Sequence, residues 1–180
     1  MFELIPLEEK YLDLILGWRN HPDVRKSMYN EHIISKEEHR NWYATIKDDP
    51  SCQYFIFVKD NGPAGVISFT YIDVKNKTSS WAFYSGDTSK RGIGPLMEIT
   101  ALDYAFRKLK LEKLWCEVLE FNESVIRFHK KFGFQEEGIF KGHYLRDGER
   151  YDIHRLAIFK DQWLDTRINF LNKFNLLEEK

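Results

Sequence analysis

The segment Ser89-Lys90-Arg91-Gly92-Ile93-Gly94-Pro95-Leu96 decides how the rest of this 180-residue chain is read. It follows a short β-rich run at residues 81–84, and Pro95 then opens a helical run that reaches about residue 110. Proline suits a first helical position, because the N–H it lacks would be unpaired there. Strand, glycine loop and helix together make an arrangement for anion capture. Backbone N–H groups around residues 91–95 have no intrahelical acceptor, and the helix dipole adds about half a positive charge. Gly92 and Gly94 let the backbone approach an anion with no Cβ in the way, and Lys90 and Arg91 add charge. The loop is not a Walker loop, which needs Gly-Lys followed by Ser or Thr. Nor is it the dinucleotide fingerprint, since Met97 stands where the third glycine would be. Two glycines also suit an ordinary tight turn, so the reading needs a second landmark.

Working outward, residues 2–5 read as a first strand, and Tyr11, Leu14, Ile15 and Trp18 repeat at helical spacing until Asn20-His21-Pro22 ends the run. Ser35-Lys36-Glu37-Glu38 reads as a capping box opening a helix with His39, Trp42, Tyr43 and Ile46 on one side. Residues 54–58, the turn Asp60-Asn61-Gly62 and the run Val66 to Ile72 make a hairpin. After the glycine loop and its helix, residues 113–119 read as a strand, 122–131 as a helix and 134–140 as a strand. Asp147-Gly148 turns into a last strand at 151–159, and Asp161 caps a final helix with Trp163, Ile168, Leu171 and Phe174 inward. No repeat or linker interrupts the pattern, which predicts one α/β domain over residues 1–180.

Composition narrows the function. Lys plus Arg number 27 against 28 Asp plus Glu, a net charge of −1, which gives no long-range positive field and argues against nucleic acid as partner. Apolar residues make up 43% and aromatics 16%, enough for a core and too much for disorder. Cys52 and Cys116 form no CxxC or framework, which suits a reducing compartment, and Cys116 reads as core. The N-terminal stretch meets acidic residues at once, unlike a signal peptide, and no stretch approaches the ~20 apolar residues of a membrane span. The expectation is a cytoplasmic protein. The histidines show no metal spacing such as HExxH, so no metal is assigned.

The second landmark is Asn122-Glu123-Ser124-Val125-Ile126-Arg127-Phe128-His129-Lys130-Lys131-Phe132-Gly133-Phe134, which begins 28 residues after Gly94. With the glycine loop before it, the chain resembles the GNAT acetyltransferase superfamily, whose loop reads Gln/Arg-x-x-Gly-x-Gly/Ala and whose later helix reads Asn-x6-Tyr-x3-Gly-Phe. The resemblance implies a single domain with a central mixed, mostly antiparallel, splayed sheet flanked by helices, and acetyl-CoA as cofactor. Residues 81–134 would form the coenzyme core and residues 1–50 the acceptor side. The coenzyme's pyrophosphate would lie on Lys90, Arg91, Gly92, Ile93, Gly94, Pro95 and Leu96, and its pantetheine arm along Phe83 and Tyr84. Asn122, Ser124 and Phe128 of the later helix would complete that site. Two positions depart from the pattern: Ser89 stands for Gln or Arg, and His129 for Tyr. Phosphinothricin acetyltransferases resemble the latter change, so it does not itself mark a dead enzyme.

Acetyl transfer from a thioester to an amine needs a neutral amine, a stabilised carbonyl oxygen and a donor for the leaving thiolate. Holding both reactants together supplies ~7–11 kcal/mol of the barrier reduction. A backbone N–H of the strand at 81–84 serves the oxygen. His129 serves the sulfur, since a reference pKa near ~6.5 against ~8.5 for a thiol makes donation from imidazolium downhill. The plain alternative is a helix histidine packed under the loop. Glu117 is the best side-chain base, with Glu120 next, and a water chain is the alternative to both.

The N-terminal third carries the acceptor. Trp18-Arg19-Asn20-His21-Pro22, Ser27-Met28-Tyr29 and the ending Arg146-Asp147-Gly148-Glu149-Arg150-Tyr151-Asp152 resemble one branch, the UDP-4-amino-4,6-dideoxy-N-acetyl-β-L-altrosamine N-acetyltransferases of pseudaminic acid biosynthesis. A nucleotide-sugar acceptor needs a flat apolar slot and a positive group. Trp42, Tyr29 and Tyr84 would sandwich the base at ~1–3 kcal/mol per stack, Met28 would fill the slot, and Arg19 would meet phosphate or a base carbonyl. Core packing is the alternative for Trp42 and Tyr29. Other GNAT acceptors (a ribosomal-protein N-terminus, a polyamine) share the coenzyme half, and a non-catalytic acyl-CoA-binding module is a further alternative. Apolar surface on the last helix would point to a homodimer.

Overall fold

The computed structural model describes residues 2–86 and 92–176. The chain divides into two compact units, each drawn from two segments: Met1–Asp73 with Trp81–Thr100, and Val74–Ser80 with Ala101–Lys180.

In the first unit, β1 (Phe2–Pro6), β2 (Gln53–Lys59) and β3 (Gly62–Asp73) form an antiparallel meander. The β2–β3 turn is made by Asp60 and Asn61, both left-handed at φ 51° and 66°, the primed geometry that suits the twist of a hairpin. Phe55, Ile56 and Phe57 of β2 are all buried, so this strand is covered on both faces. Helix α1 (Leu12–Asn20) buries Leu12, Ile15 and Leu16, the first two against Ile56 and Val66. Leu14, expected inward, is 39% exposed, because the 12–15–16 spacing selects a different stripe of the helix. A short helix, α2 (Pro22–Arg25), follows where the sequence read only a stop.

Helix α3 (Lys36–Ile46) starts at the expected Ser35, whose Oγ accepts from the N–H of Glu38 at 3.1 Å. The other half of the capping box is replaced: the Glu38 carboxylate meets His32 Nε2 at 2.8 Å. Strand β4 (Thr78–Ser85) begins three residues earlier than read, and Trp81–Tyr84 within it belongs to the first unit. Helix α4 (Gly94–Asp103) runs into a π-helical turn, Tyr104–Lys108. A Cβ on Gly65 would stand 2.6 Å from Met97 Cε and 2.7 Å from the Tyr84 carbonyl, so this glycine lets β4 and α4 close on β3.

In the second unit, β5 (Lys113–Leu119) and β6 (Gln135–Arg146) pair antiparallel on either side of β7 (Glu149–Phe159), with α5 (Glu123–Lys131) between β5 and β6 in sequence. β4 enters this unit over Thr78–Ser80, paired in parallel with Lys113–Trp115. The strand order is β1-β2-β3-β4-β5-β7-β6, the expected mixed and mostly antiparallel sheet with helices around it. The last helix, α6 (Lys160–Lys173), starts one residue before Asp161, and the N–H of Phe159 donates to Gln162 Oε1 at 2.9 Å. Asp161 is therefore a first-turn residue and not the cap. Trp163 and Leu171 face inward as expected, while Ile168 is 50% exposed. Asp103 ties α6 down: it accepts from Trp163 Nε1 at 3.0 Å and from Arg167 Nε and Nη2, both at 2.6 Å. No helix among the described residues is long and apolar enough to cross a membrane.

Candidate functional site

The first unit holds a cavity of about 310 Å3. Its walls come from four places: Arg19 at the end of α1, Met28, Asn30 and Ile34 in the stretch before α3, His39 and Trp42 on α3, and Tyr54, Val66 and Tyr84 on the strands. Four of the five expected acceptor residues (Arg19, Met28, Trp42 and Tyr84) thus line one space. Tyr29 does not line it and is 48% exposed. Trp42 also packs on the α1 core and meets the Tyr54 ring edge-on at 5.1 Å, so core packing and lining coexist in one indole.

Two polar atoms make the cavity chemically specific. Arg19 Nη2 donates to the Asn30 carbonyl at 3.1 Å, whereas Nη1 is buried with no hydrogen-bond partner. Burial pushes the Arg19 guanidinium below its ordinary range, opposed by Tyr84 nearby. His39, stacked on Trp42 at 4.9 Å and 19°, likewise has a buried Nε2 with no partner. Burial holds the His39 imidazole below its usual 6.5, partly offset by a hydrogen bond with the Leu12 backbone and by Asp13. Burial pushes the Tyr54 phenol up to about 12 and Tyr84 higher still, so both remain neutral donors. A buried donor left unmade costs about 1–3 kcal/mol, and an occupant with an acceptor for Nη1 would relieve it. Sequence reasoning missed the lining residues outside that expected set, among them Asn30, Ile34, His39 and Tyr54. The signal for His39 was its i, i+3 spacing to Trp42.

For the coenzyme, Lys90 and Arg91, with Ser89, lie outside the described residues. Gly92 takes φ +86°, a left-handed value that favours glycine, and among the described residues nothing beyond its chain neighbours lies within 4 Å of where its Cβ would be. Ile93 is buried and its carbonyl accepts from Met97 N at 3.0 Å, anchoring the first turn of α4 through Gly94, Pro95 and Leu96. An open backbone face at a helix start is what a pyrophosphate requires, so these residues fit the coenzyme. Phe83 stacks on Trp81 at 5.3 Å.

In the second unit, Asn122 stands at the N-cap of α5, with its carbonyl accepting from Val125 and Ile126. Ser124 is exposed, and Phe128 is half-buried with its ring 5.1 Å from Phe132. His129 is 5% exposed and its ring lies 5.2 Å from that of Phe134. Glu117 Oε1 accepts from Arg155 Nη1 at 3.0 Å, and the Arg155 guanidinium lies 3.4 Å over the Trp115 ring. Glu120 lines a separate, open depression with Glu136 and His154.

The Acetyltransferase (GNAT) domain family matches residues 2–135 of the chain. The chain belongs to the GNAT acetyltransferase family. It is an acyltransferase that uses acetyl-CoA. Among curated relatives of this GNAT enzyme, the acetyltransferase PseH of Campylobacter jejuni is 29% identical over 128 residues, covering 71% of this chain and 79% of that protein. The spermidine N(1)-acetyltransferase of Escherichia coli is 26% identical over 163 residues, covering 90% and 88%. A crystal structure of spermidine N-acetyltransferase from Vibrio cholerae, in complex with CoA and spermine, superimposes with a TM-score of 0.84 at 21% identity, covering 91% of this chain and 98% of that one. The fold is thereby shared with a spermidine acetyltransferase and the sequence with relatives of both names, and the acceptor must be argued from the cavity.

Proposed function

We propose that this enzyme acetylates the 4-amino group of a UDP-linked amino-dideoxy sugar. The observation that carries the reading is the buried, unpartnered Nη1 of Arg19 inside an aromatic cavity. A guanidinium there calls for an anion or a carbonyl, which a uracil or diphosphate offers and a polyamine does not. The ring of Trp42 gives a base its stacking face. A polyamine would need carboxylates. Glu38 is the acidic residue among the described lining, and its Oε1 is held by His32. The similarity to PseH supports the same reading, and the similarity to spermidine acetyltransferases supports the polyamine alternative.

Acetyl-CoA supplies an acetyl group activated as a thioester. The chain around Gly92 and Gly94 would hold the anionic end, with Lys90 and Arg91 adding charge. His129 would donate a proton to the thiolate as it leaves. Glu117 would take the amine's proton, or water would do so where Arg155 keeps its hold on that carboxylate.

Release of CoA thiol is measured with the UDP-linked amino sugar, the free amino sugar and spermidine. The conjugate should exceed both others, because binding energy from the remote nucleotide positions the amine. Trp42→Ala should remove most of that advantage and hardly touch the free sugar. Equal rates on conjugate and free sugar in the unchanged enzyme would end the nucleotide-sugar assignment.

A further inference from the structure

Asn20, the residue after Arg19, holds the wall of the acceptor cavity through a pair of hydrogen bonds. Residues 26–34 connect α2 to α3 without regular structure and contribute Met28, Asn30 and Ile34 to the lining. The first residues of this stretch bond back to α2, Ser27 N to the Val24 carbonyl at 3.1 Å and Met28 N to the Arg25 carbonyl at 3.0 Å, and Ile33 farther along is 70% exposed. It is tied back to α1 at two consecutive residues. Arg19 Nη2 holds the Asn30 carbonyl at 3.1 Å. The Asn20 carboxamide makes a reciprocal pair with Ile34: Nδ2 donates to the Ile34 carbonyl at 2.9 Å, and the Ile34 N–H donates to Oδ1 at 2.9 Å.

That pair imitates one rung of an antiparallel ladder, made by a side chain 14 residues away in sequence. Asparagine is fitted to it by inventory, since a carboxamide offers one donor edge and one acceptor edge side by side. Aspartate would keep the acceptor but turn a negative oxygen on the Ile34 carbonyl. Alanine would leave both groups open. Ile34 is itself a lining residue, and Ser35 directly after it caps α3, the helix that brings His39 and Trp42 to the cavity.

We propose that Asn20 is a positioning residue for acceptor specificity. Through Ile34 it fixes both the irregular wall and the entry of α3, so Arg19, His39 and Trp42 meet the occupant in one geometry. The inference rests on the acceptor reading of this cavity given above.

The test compares Asn20→Ala, Asn20→Asp and the unchanged enzyme on three amines (the UDP-linked amino sugar, the free amino sugar and spermidine), with the KM for acetyl-CoA and thermal unfolding measured alongside. In Asn20→Ala the KM for the preferred amine should rise about tenfold or more, with kcat and the acetyl-CoA KM within about threefold. Asn20→Asp should fall between. The advantage of the preferred amine over the others should shrink in the same order. If all amines and acetyl-CoA lose in parallel with the unfolding temperature, or if the preferred amine's KM is unchanged, Asn20 is merely structural and the proposal fails. If the unchanged enzyme prefers spermidine, the nucleotide-sugar reading fails by itself, and the Asn20 effect is then read on spermidine by the same criteria.

Discussion

A helix histidine at 5% exposure can be a packed ring or a proton donor, and His129 has the burial of the first and the motif position of the second. The two roles separate in His129→Phe, which keeps a flat ring beside Phe128 and Phe134 and removes the donor. The maximal rate should drop ~10²-fold or more with little change in acetyl-CoA affinity, and a wild-type rate would leave His129 with packing alone. His39 makes a second prediction, this time on stability. Its folded pKa lies below 6.5, set first by burial and further lowered by Arg19. The unfolded chain therefore binds this proton more readily than the folded one. Stability should fall as pH drops from about 6.5 toward the folded value, and no further below it. His39→Phe, which keeps the stack on Trp42, should lose less unfolding temperature between pH 7 and pH 5.5 than the unchanged protein. Identical slopes would show that His39 takes up its proton equally readily in the folded and unfolded chains, with no shift from burial. Arg19, Met28 and Trp42 were singled out by resemblance to one acetyltransferase branch together with residue type, and all three line the cavity. Tyr29 is absent from that lining and 48% exposed, and its place beside Met28 in an irregular stretch gave no periodicity from which to fix its direction.

At the scale of elements, strand β5 fell where the sequence placed it, residues 113–119, since its alternation of half-buried and buried positions follows its apolar pattern. β6 did not. It runs on through Gly138 and Gly142 to Arg146, two glycines that weaken the local signal, because pairing with β7 carries it past them. Asp152 helps: it accepts from the Gly142 N–H at 2.8 Å, a cross-strand contact that no window of sequence shows. The end of β4 has a similar hidden constraint. A Cβ on Gly86 would stand 2.2 Å from two ring atoms of Trp18, so the indole of α1 occupies the space that a side chain there would need. Gly86 N also donates to the Ala64 carbonyl at 2.8 Å, which leaves the backbone little room to retreat. Gly86→Ala should cost about 1–3 kcal/mol by overpacking, read by denaturant unfolding, and should disturb the acceptor cavity through Arg19, the residue after Trp18. A variant as stable as the parent would mean that Trp18 moves aside freely.

At the scale of the whole molecule, charge separates the two acceptor classes that the fold shares. The chain is nearly neutral, at −1, so it offers no long-range field of either sign to a charged substrate. A polycation drawn to surface carboxylates would feel salt strongly, since exposed charges are screened beyond about 10 Å at 0.1 M ionic strength. A nucleotide held by stacking on Trp42 and by the buried Nη1 of Arg19 would feel it far less, because a partly buried contact is shielded from the ions. The KM for the UDP-linked sugar should therefore change by less than about threefold between roughly 0.05 and 0.3 M salt. Arg19→Leu should raise that KM at every salt concentration alike, by removing the contact and not a field. A steep rise of KM with salt, together with spermidine as the better substrate, would overturn the argument and place recognition on carboxylates outside this cavity.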